Sequence, residues 1–242
     1  MSLPSKKIIE IQDNVYSHEF KMLNHVSELI FNNDKCIECD FCAKVCPKEC
    51  IGSPEDMGVE SDLKRYVDID KCIFCGICSF TCSGFALNLR INGEPKLLLI
   101  ENGSLPELKP KELKIKETGQ KIQKLVEGTT KIESTEKKVK NIEDFVKECV
   151  VGALSNKETE IIVDKDQCIN CYKCQKAAEK NYPKINVDVT RARIPNEGEV
   201  SSVWKRITEA LLGLPAAITD LQGPTKKKMV EQVLNLLGKQ AK

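Results

Sequence analysis

Short apolar or β-branched stretches precede three cysteine-rich loops: SELIFN (27–32), RYVDID (65–70) and ETEIIVDKD (158–166). The segments AKVCPKECI (43–51) and FTCSGFALNL (80–89) follow the first two loops. Strand, loop, short helix, then strand is the predicted order, and a compact α+β fold the predicted class. Residues 96–136 read differently: they are dense in Lys and Glu, carry Pro106 and Pro110, and lack cysteine. A solvated linker is one expectation there, and one amphipathic helix over GQKIQKLVEG (119–128) is the other. From about residue 199 the apolar period becomes helical. VSSVWKRITEALLG sets Val200, Val203, Trp204, Ile207, Ala210 and Leu211 on one face. Thr225 is placed to cap a second helix, KKKMVEQVLNLLGKQ, striped by Met229, Val230, Val233 and Leu237. Such stripes pack on their own domain or dock onto a partner protein.

Composition narrows the class. The 242 residues hold 37 Lys+Arg against 36 Asp+Glu, a formal charge of +1, which argues against broad nucleic-acid or acidic-membrane binding. Aromatics make up 5%, with Trp204 the single tryptophan, so a rich aromatic core is excluded. No apolar run approaches the roughly 20 residues of a membrane span, and MSLPSKKIIEIQD lacks a stretch of signal-peptide length. A cytoplasmic protein without a transmembrane segment is expected. Thirteen cysteines in such a setting point to metal ligation over disulfides.

The cysteines fall into one phrase used three times. It runs Asp34-Lys-Cys36-x-x-Cys39-x-x-Cys42, then Asp70-Lys-Cys72-x-x-Cys75-x-x-Cys78, then Asp166-Gln-Cys168-x-x-Cys171-x-x-Cys174. The first two copies continue to a fourth cysteine, Cys46 and Cys82; Pro47 follows Cys46 and Ser83 follows Cys82. Three thiolates at this spacing can wrap one corner of a small inorganic cube, and the fourth naturally serves a neighbouring cube. Zinc sites more often use two separated ligand pairs and recruit histidine, whereas His18 and His25 both lie away from the cysteines.

These motifs resemble the bacterial-type two-[4Fe–4S] ferredoxins and the polyferredoxins built from repeats of them, closely over 26–91 and partially over 137–190. The resemblance implies one cluster on Cys36, Cys39, Cys42 and Cys82, and a second on Cys72, Cys75, Cys78 and Cys46. GSPEDMG (52–58) then reads as a surface insertion.

The third triplet has Ala178 at its fourth place, but Cys149 lies 19 residues upstream of Cys168 in KECVVGAL, which is similar to the family's C-P-x-x-A-[IL] ending. Val139, Ile142 and Phe145 stand where a further triplet would be. The ligands of one cluster are thus replaced by apolar residues, while Cys168, Cys171, Cys174 and Cys149 remain for a third. The alternative is a triplet holding a three-iron cluster or nothing, with Cys149 a plain buried thiol. Cys50 is left over and reads as a buried structural cysteine.

Asp40, Gly76 and Tyr172 follow the middle cysteines, where backbone wrapping favours positive φ. Tyr172 would be uncomfortable there: that it simply packs over its loop is one expectation, and a third site differing in backbone geometry and exposure is the other. Asp34, Asp70 and Asp166 are expected to turn the chain into each loop.

The expected organisation has an N-terminal extension (1–25), a two-cluster ferredoxin domain (26–95) and a charged linker or small insertion (96–136). A degenerate ferredoxin domain with one cluster (137–195) and a helical docking tail (196–242) follow. No catalytic constellation is visible. The expected function is electron relay through three [4Fe–4S] clusters, as a polyferredoxin-like, non-catalytic subunit docked through its C-terminal helices onto a multisubunit oxidoreductase. Resemblance suggests an anaerobic setting and a client of hydrogenase, formate or formylmethanofuran dehydrogenase, or heterodisulfide reductase type. The alternatives are a non-redox interaction or oxygen-sensing protein stapled by its clusters, and an enzyme with a site in 96–136.

Overall fold

A computed structural model describes residues 4–134, 142–157, 160–198 and 201–213. β1 (Ser5–Gln12), β2 (Val15–Met22) and β3 (His25–Asn32) form an antiparallel meander. The meander therefore begins inside the stretch expected to be an extension. α1 (Phe41–Val45), β4 (Ile51–Gly52), β5 (Tyr66–Val67) and α2 (Ile77–Phe80) follow. β6 (Leu87–Ile91) then pairs with β3, and β7 (Glu94–Pro95) completes a five-stranded sheet of order β1-β2-β3-β6-β7.

The inner face of that sheet is set by period-two alternation. Leu29 and Phe31 on β3 stand opposite Leu89 and Leu87 on β6, and all four are buried. They form an apolar ceiling over the cysteine loops.

The next segment is no solvated linker. It holds α3 (Leu98–Glu101), β8 (Glu107–Leu108), β9 (Lys111–Lys114) and β10 (Lys121–Lys124). Gly119, at φ 70°, turns β9 back onto β10, pairing Leu113 with Ile122. The helix expected over 119–128 is replaced by β10 and the start of β11 (Glu127–Ser134). The spacing of Ile122, Leu125 and Val126 does fit a helix, but cross-strand pairing overrides it. All three residues are buried in the main core beside Ile169 and Trp204. This hairpin also ties the two halves together. Gln123 donates from its side chain to the Cys82 carbonyl at 3.0 Å, and Gln167 donates to the Lys114 carbonyl at 2.7 Å.

The second half contains α4 (Ile142–Lys147), β12 (Leu154–Lys157), β13 (Glu160–Val163), α5 (Lys173–Asn181), β14 (Ile185–Arg193), β15 (Asn196–Glu197) and α6 (Ser202–Leu212). β11 pairs with β14 and β12 with β13, all antiparallel. Ser201 caps α6, its hydroxyl accepting from Trp204 N–H at 3.0 Å, and Gly213 at φ 68° ends it.

The stripe on α6 faces inward. Trp204, Ile207 and Leu211 are buried in the main core with Ile37, Phe41 and Val45, and Phe80 meets Trp204 edge-on at 6.3 Å. Docking of a partner through this helix is therefore corrected: its apolar face is covered by its own chain. Val200 and the second helix expected after Thr225 lie outside the described residues. Among the described residues, no helix is long and apolar enough to cross a membrane.

Candidate functional site

The three triplet loops share one backbone form. In each, the residue before the middle cysteine is left-handed: Glu38 (φ 54°), Phe74 (φ 53°) and Asn170 (φ 54°). So is the residue after it: Asp40 (φ 62°), Gly76 (φ 78°) and Tyr172 (φ 67°). Such turns aim successive N–H groups into one concavity, an arrangement suited to an anionic centre. Tyr172 thus adopts the geometry of its counterparts, and the third loop does not differ from them in backbone form. Its ring is held by Arg191, whose guanidinium lies 4.0 Å from the ring centroid. At Gly76 a Cβ would also run into the Leu89 and Leu97 side chains.

Entry into each loop is turned by a residue two places earlier than expected. Asn32 Oδ1 accepts from Lys35 N–H, Asp68 Oδ1 from Asp70 and Lys71, and Asp164 Oδ1 from Asp166 and Gln167. Asp34, Asp70 and Asp166 are not the turn-forming side chains in these bonds, and Asp166 pairs with Lys111 at 2.7 Å.

The remaining cysteines of the motifs repeat a second local form. Cys46, Cys82 and Cys149 are each followed three residues on by a left-handed residue: Glu49 (φ 50°), Phe85 (φ 54°) and Gly152 (φ 66°). The next N–H donates back to the sulfur, from Cys50 at 3.4 Å, Ala86 at 3.1 Å and Ala153 at 3.2 Å. Cys149 is therefore built like the fourth cysteines of the first two motifs.

These forms place the thiols around separate cavities. Cys36, Cys39, Cys42 and Cys82 line the first, with Phe31, Leu87 and Arg65. Cys72, Cys75, Cys78 and Cys46 line the second, joined by Cys50. Burial pushes the Cys42 thiol up to about 12, with Cys82 adding to the rise. In the third group, burial first and then neighbouring thiols, Cys149 and Cys168 among them, bring Cys171 to about 11 and Cys174 to about 12. Among the described residues, no three thiol, imidazole or carboxylate groups converge on a single-ion site. The first two quartets instead line cavities. Arg65 Nε faces this environment as a buried donor without a protein partner, which fits a sulfide-bearing, anionic group in the first cavity.

Neighbouring groups touch electrostatically in a definite order. Cys78 of the second cavity is raised by burial and then by Cys42 of the first. Cys39 of the first is raised by burial, by Cys42 and Cys82, and also by Cys171 of the third group. The first group thus interacts with both the second and the third.

Where the further triplet would have been, Phe145 and Ala178 share a small core with Leu154 and Ile185. Ile142 is half-buried outside it, and Val139 lies outside the described residues.

Residues 29–52, from β3 through the first triplet to Cys46, match the family of 4Fe-4S binding domains. The chain is 35% identical over 68 residues to NADH-quinone oxidoreductase subunit I 2 of Geobacter metallireducens, covering 27% of this chain and 52% of that protein. It is 36% identical over 58 residues to pyruvate synthase subunit PorD of Methanothermobacter marburgensis, covering 24% of this chain and 59% of that protein. The chain thus spans about half the length of the curated relatives it matches. A chain of the formate dehydrogenase–heterodisulfide reductase–formylmethanofuran dehydrogenase complex from Methanospirillum hungatei shares the fold at TM-score 0.65 and 20% identity. That likeness covers 88% of this chain and 92% of that one.

Two buried arginines beside the cysteine loops, Arg65 and Arg191, were not among the expected site residues. Both carried a signal. Period two puts Arg65 on the face of buried Val67, and Arg191 on the face of Ile185, Val187 and Val189. Cys50 was expected to be merely structural, yet its sulfur lies 3.4 Å from Cys46 Sγ.

Proposed function

We propose that the chain is an electron-transfer subunit holding three [4Fe–4S] clusters: Cys36, Cys39, Cys42 and Cys82 on the first; Cys72, Cys75, Cys78 and Cys46 on the second; Cys168, Cys171, Cys174 and Cys149 on the third. The observation that carries this reading is the threefold repeat of both local forms, triplet loop and returning cysteine, in the second half as in the first. A bound cluster supplies a one-electron acceptor whose potential answers to surrounding charge and hydrogen bonds.

The chain's own residues do the rest. Loop N–H groups and the Ala86 and Ala153 amides donate toward sulfur and hold the thiolates in place. Leu29, Phe31, Leu87 and Ile169 exclude water. The Cys42–Cys78 and Cys39–Cys171 approaches make a relay in which the first centre connects the second to the third.

The relatives' names place those proteins in an NADH-quinone oxidoreductase and a pyruvate synthase, and the fold neighbour is part of a multi-enzyme complex. A cytoplasmic, multisubunit oxidoreductase is the partner class this supports. With α6 covered, the docking surface lies elsewhere than on that helix.

Anaerobic purification followed by metal and sulfide analysis tests the reading. About twelve iron and twelve sulfide per chain, reducible and reoxidisable by a low-potential donor, are expected. About eight of each would remove the third centre. Stoichiometric zinc with little sulfide would overturn the redox function and leave a cysteine-stapled interaction protein.

A further inference from the structure

The charges around the three centres are distributed unequally. Arg65 lines the first cavity, its side chain 5% exposed, and its guanidinium pairs with Asp40. Its Nε has no protein partner although it is buried. A second buried guanidinium, Arg191, stands where the first and third loops meet. It lies 4.8 Å from the Phe41 ring of α1 and 4.0 Å from the Tyr172 ring, and its Nε donates to the Asn170 carbonyl at 2.8 Å. Its Nη2 is likewise buried without a protein partner. The second cavity has no counterpart: Lys6 and Lys48, the cations beside it, are exposed and screened by solvent.

We infer that Arg65, which lines the first cavity while Arg191 is shared between the first and third loops, makes the first centre the most easily reduced of the three, so that electrons come to rest in the middle of the relay. This rests on the proposed clusters. The physical argument is direct. Reduction adds a negative charge, and a buried cation with a free N–H donor stabilises that charge more than an exposed one does. Asp40 works against the effect by neutralising part of Arg65. Burial opposes the Arg65 charge; Asp40 and then the Cys42, Cys36 and Cys39 sulfurs favour it. The geometry thus pairs one cation with a carboxylate on one side and a ring of sulfurs on the other. Arg65 is a positioning and tuning residue here, since the thiolates alone ligate.

The test is potentiometric titration of the anaerobic holoprotein, followed by electron paramagnetic resonance, with iron counted in every sample. Arg65→Gln is expected to keep its iron and move the highest of the three midpoints to a more negative value. Arg65→Lys, which keeps the charge and loses the fork, is expected to move it less. Asp40→Asn is expected to move the same midpoint the opposite way. A tenfold change in the reduction equilibrium reads as about 59 mV for a one-electron couple. If Arg65→Gln sheds iron, the signs for Arg65→Lys and Asp40→Asn still decide. An unmoved highest midpoint in iron-replete variants overturns the inference, as does movement confined to a lower one. Wild-type protein without iron–sulfur content overturns the proposed function itself, and this inference with it.

Discussion

The Phe145 ring meets the Tyr182 ring edge-on, with centroids 5.2 Å apart and planes at 74°. Phe145 is fully buried, and the core around it holds Ala178, Leu154 and Ile185. An apolar plug thus occupies the corner of the second half where a further triplet and its fourth cysteine would have met. Phe145→Ala is expected to cost about 3–5 kcal/mol, because a large ring leaves a cavity that β12 and β14 cannot fully close. Hydrogen exchange of the α5 and β14 amides measures it, and protection equal to wild type would refute the packing argument.

The plug also shows what was readable from the chain alone. Local spacing gave the three cysteine triplets, because each loop is a short-range structure written in a few adjacent residues, whereas the fourth member of each quartet came only from the family resemblance. Alternation of Leu29 and Phe31 gave β3 for the same reason. The hairpin of β9 and β10 was not readable: Ile122, Leu125 and Val126 fit a helix, and only their partners in distant segments choose the strand. The role of α6 failed similarly, since an amphipathic stripe does not say whether its cover comes from the same chain. Arg65 and Arg191 were hidden in plain alternation, where an arginine on an apolar face marks a buried charge and hence an anionic neighbour.

Cys149 carries the assignment of the third centre. Its sulfur accepts from the Ala153 amide at 3.2 Å, and it raises the pKa of both Cys171 and Cys174. Cys149→Ala is expected to lower iron from about twelve to about eight per chain, leaving the first two centres intact. Metal analysis with sulfide counting checks it. Full retention of iron would mean that the triplet recruits a different fourth ligand or that Cys149 is only a packed thiol.

Cys50 has a separate consequence. Its sulfur contact with Cys46 holds that thiol down near 6, and its contact with Cys72 lowers that thiol to about 7. Both neighbours belong to the second quartet. Cys50→Ala is expected to keep the full iron content, because Cys50 is additional to the four. The second centre's midpoint is expected to become more negative, since a thiol hydrogen-bonding partner of its ligands is lost. Iron loss approaching four atoms per chain would instead make Cys50 a ligand.

His18 supplies a pH dependence of the sheet. The ring is 3% exposed on β2, and its Nδ1–H donates to the Leu29 carbonyl at 3.3 Å across to β3. Burial lowers its pKa below the ordinary value of 6.5, outweighing the backbone hydrogen bond that raises it. Above 6.5 both folded and unfolded chains carry a neutral ring, and His18 adds no slope. As the pH falls below that point, the unfolded chain takes up a proton that the folded sheet refuses, so stability declines until the folded-state pKa is passed. His18→Gln keeps a donor without the titration and is expected to flatten the curve on the acid side. The comparison is the difference in denaturant midpoint between wild type and variant across that range, in which acid loss of iron affects both proteins alike. Parallel curves would mean that the ring is already open to protonation in the folded protein.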